Sequence, residues 1–95
     1  MAERDLKAER SSVCVKVPRL QRDYWASRVG PLAESHYGDV WGNGLSDRWT
    51  FWDVAFPAQE KAEAFIQDCE KQGLRTLLEY VGDEKVADSE AFLWD

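Results

Sequence analysis

The chain predicts an α+β domain, an antiparallel sheet with two helices on one face. Its 95 residues suffice for one compact core. An apolar fraction of 44%, including 13% aromatic residues, can fill that core despite 32% charged residues. Along residues 12–81, hydrophobic periods of two and of 3.6 residues follow one another in the order strand, helix, strand, strand, helix, strand.

Residues 1–11 mix both charges around a single large apolar side chain, Leu6, and read as a flexible N-terminal arm. Residues 12–17, with Val13, Val15 and Val17 in alternation, form the first strand, which Pro18 stops by removing a ladder donor. From Arg19 onward, Leu20, Tyr24, Trp25, Val29 and Leu32 share one helical face. Gly30 and Pro31 interrupt that helix by a kink or a break, and Tyr37-Gly38 ends it.

Two extended segments follow, at residues 39–41 and 48–56, around a glycine-rich turn that includes Gly42-Asn43-Gly44. In the second, Trp49, Phe51, Asp53 and Ala55 take one face, and Arg48, Thr50, Trp52, Val54 and Phe56 the other. Aromatics on both faces indicate a central strand or a face covered by a partner. Pro57 opens the clearest helix, where a missing N–H costs nothing, and Ala58, Ala62, Phe65, Ile66 and Cys69 form its apolar stripe. Gly73 supplies the C-cap. Residues 74–81 make the last core strand, and residues 82–95 an acidic, aromatic extension.

This order is that of a ferredoxin-like βαββαβ domain over residues 12–81, an architecture that hosts many unrelated functions. Trp52-Asp53-Val54-Ala55-Phe56-Pro57, with the Ala/Glu-rich helix and Gly73 after it, also resembles one half of the ribonuclease E regulator B-type domains. Tyr37-Gly38-Asp39-Val40-Trp41-Gly42 resembles another part of that family, the two pieces standing here in the opposite order.

The net charge of −6 is unevenly spread. Residues 1–28 carry seven basic and four acidic side chains, residues 29–95 five and fourteen. A field of that sign favours basic partners and disfavours direct nucleic-acid binding. A base-stacking role for the aromatic strand meets the same objection, Arg48 being the one basic residue between positions 29 and 60. No stretch reaches the roughly 20 apolar residues of a membrane span, and the first residues lack the apolar core of a signal peptide, so the expected location is cytoplasmic. Cys14 and Cys69 have no metal or redox spacing and read as packed thiols.

Catalysis needs a nucleophile with a base, a carboxylate pair or ligands at workable spacing, and the candidates are few. His36 is the only histidine and reads as a helix-end residue. Gly42-Asn43-Gly44 lacks the Gly-Lys-Ser/Thr that would make it a phosphate loop. Asp53, among aromatics, must pair with Arg48, Arg75 or a tyrosine hydroxyl, face solvent, or meet a ligand. No enzymatic function, cofactor or metal is therefore expected.

What remains is an excess of aromatics beside acidic charge. Five tryptophans in so short a chain place at least one at the surface. The terminal Ala-Phe-Leu-Trp must dock on this domain, on a second copy or on another protein. The expected function is a non-enzymatic protein-binding module, an acidic inhibitor occupying a basic site on a nucleic-acid-handling protein in the manner of anti-CRISPR or nucleic-acid-mimicking proteins. Its partner-binding residues are Trp41, Trp49, Trp52, Asp53, Phe92 and Trp94. The alternative is a small-molecule-binding or regulatory domain that acts as a homodimer.

Overall fold

A computed structural model describes residues 9–94. The flexible arm expected at residues 1–11 lies mostly outside them. Ser11, assigned to that arm, instead opens the first strand and is buried.

Five strands form one antiparallel sheet: β1 (Ser11–Pro18), β2 (Asp39–Leu45), β3 (Trp49–Phe56), β4 (Arg75–Val81) and the two-residue β5 (Glu84–Lys85), in the order β2-β3-β1-β4-β5. Strand β1 lies at the centre because its β-branched residues can be buried on one face while Cys14 and Lys16 are covered on the other. Helices α1 (Arg22–Ala26), α2 (Val29–Glu34) and α3 (Gln59–Lys71) supply the apolar layer over Val13, Val15 and Val17, and α4 (Ser89–Trp94) contacts β4. The fold is thus α+β as expected, but not the ferredoxin-like βαββαβ form as such. Glu84–Lys85 add a fifth strand and Ser89–Trp94 a further helix, and the first crossover is three short pieces instead of one helix.

That crossover shows why. Residues Arg19–Gln21 form a 3-10 turn, which breaks the 100° spacing that would have put Leu20 on the apolar face, and Leu20 is fully exposed. Trp25 and Val29 do enter the core, and the Trp25 indole N–H donates to Gln21 Oε1 at 3.1 Å. The break falls at Ser27–Arg28, ahead of Pro31. Pro31 is tolerated because it occupies the first turn of α2, whose N–H groups have no intrahelical acceptor.

Helices α2 and α3 end in the same way. After α3, Gly73 takes a φ of 83°, and the Leu74 N–H returns to Cys69 O at 2.9 Å, burying Leu74. After α2, the Gly38 N–H returns to Ala33 O at 2.8 Å, but the left-handed position belongs to Tyr37, with a φ of 64°. Gly38 is needed for space, since a Cβ there would strike the Phe56 ring.

In α3 the stripe Ala62, Phe65 and Cys69 is fully buried, and Phe65 meets the Phe56 ring at a centroid distance of 4.9 Å. Strand β3 alternates half-buried and buried residues as expected and lies inside the sheet. Strand β2 departs from expectation, because Gly42-Asn43-Gly44 is strand, not turn, and the reversal is confined to residues 46–48. The register explains it: Gly42 and Gly44 lie across from Asp53 and Phe51, whose side chains lean into the space that a Cβ would take.

Candidate functional site

The six expected partner-binding residues do not form one patch. Trp52 points into the core, being 9% exposed, because it alternates with Trp49 and Phe51 along β3. It is removed from the set on that ground. Trp41 stands on the outer strand β2, at a bulge where the β2–β3 register shifts. Trp49, Asp53 and Phe92 lie on the face opposite the main helical layer, where Trp49 and Phe92 converge and Asp53 stands apart.

Trp49 and Phe92 converge on a residue that the sequence reading passed over. Lys16 is completely buried. Its ammonium lies 4.1 Å from the Trp49 ring centroid and 4.7 Å from that of Phe92, and it donates a hydrogen bond to the Phe92 carbonyl. The Arg75 guanidinium carbon is 5.4 Å and 5.9 Å from the same two rings. Strand register builds this arrangement, since Lys16 pairs with Phe51 on one side and Arg75 on the other, and Pro18 pairs with Trp49. Ring faces carry negative potential, so a desolvated cation over such a ring gains about 2 kcal/mol, against roughly 0.5–1 kcal/mol at an exposed site. A lone lysine in a β-branched strand was the available signal, but the pattern alone does not say that both faces are covered.

Helix α4 is therefore anchored from below by Phe92. At its start, Asp88 Oδ1 accepts the Glu90 N–H at 2.9 Å, a side-chain N-cap, with Glu90 in the first turn where the helix dipole favours an acid. At its end, Trp94 is 72% exposed and borders a recess of about 160 Å³ with Ser46, Asp47, Arg48 and Trp49. The β2–β3 turn and the C-terminal segment, remote in sequence, meet here.

Among the described residues, Asp53 meets the Cys14 thiol where Arg48, Arg75 or a tyrosine was expected. It accepts a hydrogen bond from the Cys14 thiol, the residue across from it on β1. Burial, and then the neighbouring Glu79, raise its carboxyl above the usual range despite that bond. Burial, and then Asp53, push the Cys14 thiol up to about 12, so at neutral pH it is a protonated donor and no nucleophile. Cys69 is likewise pushed up to about 12, chiefly by burial.

His36 Nε2 lies 3.1 Å from Asp68 Oδ2, tying the turn after α2 to α3, and its ring meets Phe65 edge-on. This is a structural clasp between helices. Among the described residues, no three of His, Cys, Asp and Glu are grouped to hold a metal ion, and no helix is long and apolar enough to cross a membrane. A second depression, of about 370 Å³, is lined by Arg10, Tyr37, Asp39, Ala55, Phe56 and Pro57.

Comparison with protein-family models, with curated proteins and with solved structures gave no match to this chain. The local resemblance to the ribonuclease E regulator B-type domains thus assigns neither family nor function.

Proposed function

We propose that this chain is a non-enzymatic protein-binding module that presents Trp94, beside the β2–β3 turn, to a basic site on another protein. The observation that carries the reading is the exposure of Trp94 on a helix whose neighbour Phe92 is anchored over Lys16. A large exposed ring on a fixed support loses little conformational entropy on binding, which is what a hot-spot residue requires. Asp47 borders the recess beside Arg48, and residues 82–95 carry five acids to one lysine, a balance that favours a cationic partner. A small acidic inhibitor of a nucleic-acid-handling protein, of the anti-CRISPR or nucleic-acid-mimic type, fits these features. We read the fold as a ferredoxin-like frame elaborated by β5 and α4.

Affinity capture from a lysate, followed by elution with rising salt, tests the proposal. A partner held by the wild type, released by salt and not captured by W94A supports it. A partner captured equally by W94A overturns the role of Trp94.

A second reading, a small-molecule-binding or regulatory domain, draws on the depression beside Tyr37, whose volume of about 370 Å³ falls in the ligand-pocket range. A thermal shift with a metabolite, lost in Y37A, would support it.

A further inference from the structure

We infer that the open end of the sheet face around Asp53 and Glu79 docks a cationic side chain of a partner protein, carried on an apolar segment. Strand register sets the floor of this site. Asp53, Cys14 and Leu77 stand in one row across β3, β1 and β4, and directly paired residues share a face. The register shift beyond Leu78 leaves Glu79 as the extra residue of β4, next to that row, where its charge acts on both Asp53 and Cys14. The main helical layer lies on the other face, and α4 covers this one around Lys16, Arg75 and Trp49. Farther along, Asp53, Ala55, Leu77 and Glu79 are half-buried and Tyr80 is exposed.

Charge selects the occupant. The two ends of the face each hold a pair of like charges. At the first, Lys16 and Arg75 are directly opposed on β1 and β4, and α4 meets them with the Phe92 ring and, for Lys16, the Phe92 carbonyl. At the second, Asp53 and Glu79 flank Cys14, and among the described residues neither is in an ion pair. Lys85, on the neighbouring β5, is paired with Asp88 at 3.8 Å. The Cys14 thiol gives Asp53 one neutral hydrogen bond, which leaves its charge and its other lone pairs unmatched. On the same side of β1, the Ser12 hydroxyl oxygen is buried without a hydrogen-bond partner and is a further acceptor. An acidic or wholly apolar occupant would bury both carboxylates unpaired, at a large cost. An ammonium or guanidinium offsets that cost, while the apolar residues beside it cover Ala55, Leu77 and Tyr80.

This site goes beyond the reading built on Trp94. Asp53 lies four residues, roughly 13 Å, along β3 from Trp49, so either proposal can fail alone.

The probe is n-butylammonium, the end of a lysine side chain, with n-butanol as its neutral counterpart. Each is titrated into the full chain to about 100 mM at constant ionic strength, and backbone amide NMR shifts are read. The expected result is that n-butylammonium moves the amides of Cys14, Asp53, Leu77 and Glu79 saturably and n-butanol does not. D53N/E79Q should weaken binding by about tenfold or more, whereas E60Q/E70Q, which removes two exposed acids from α3, should stay within about twofold of the wild type. Equal responses to n-butanol and n-butylammonium, which would mark an apolar occupant, or shifts centred elsewhere would overturn the inference. Both outcomes are read on the wild type, so they decide even where the double variant does not fold. A folded D53N/E79Q that binds as tightly as the wild type, or an equal loss in E60Q/E70Q, would overturn it too.

Discussion

Tyr37 occupies the left-handed position at which α3 uses Gly73, and nothing in its covalent structure favours that conformation. Its ring packs under the Lys61 ammonium at 4.7 Å, an exposed contact that offsets only part of the strain. Y37G should therefore stabilise the fold by about 0.5–1 kcal/mol in denaturant titration. A loss instead would mean that the Tyr37 ring contributes more than its backbone costs. Asp53 gives a pH-dependent case. The folded chain holds its proton more tightly than the unfolded chain does, so its contribution favours the fold below the usual aspartate range and is lost as pH rises through the raised folded value. D53N keeps an acceptor for Cys14 without a charge. It should be more stable than the wild type at pH 7, the two converging towards about pH 3. Asp68 has the opposite sign, because the His36 hydrogen bond lowers its pKa. The advantage of the wild type over D68N should be present above about pH 4 and vanish as pH falls through the lowered value. At this scale the sequence was least legible: alternation placed Asp53 on its face, but not beside a thiol, and did not show that Lys16 would be enclosed.

Among the elements, α3 was legible because proline, a single apolar stripe and glycine all agree on its ends. F65A removes its most buried aromatic and should cost about 3–5 kcal/mol by thermal or chemical unfolding. The crossover before it was less legible. A 3-10 turn changes the angular spacing on which a helical wheel depends, and Leu20 went to solvent for that reason. Strand β2 was misread because glycine pairs usually mark turns, whereas here the cause is the lean of Phe51 and Asp53 across the sheet. Helix α4 depends on Phe92. F92A should speed amide exchange across residues 89–94 while leaving β1 and β3 protected, since their ladders do not involve that ring. Equal exchange in wild type and variant would show that α4 is held by something else.

For the whole molecule, composition and periodicity gave the class, α+β in one small core, while the fifth strand and the closing helix came from an acidic tail with little periodicity of its own. The charge asymmetry is likewise a property of the whole chain, and it acquires meaning only where it meets Trp94. The most direct test of that meeting is a side-by-side capture with wild type, W94A and Y24A at matched salt. Tyr24 serves as the control because it is also exposed, on a helix that does not border the Trp94 recess. Loss of a salt-sensitive partner in W94A and its retention in Y24A is the predicted result; equal capture by all three chains, or equal loss in both variants, would contradict it.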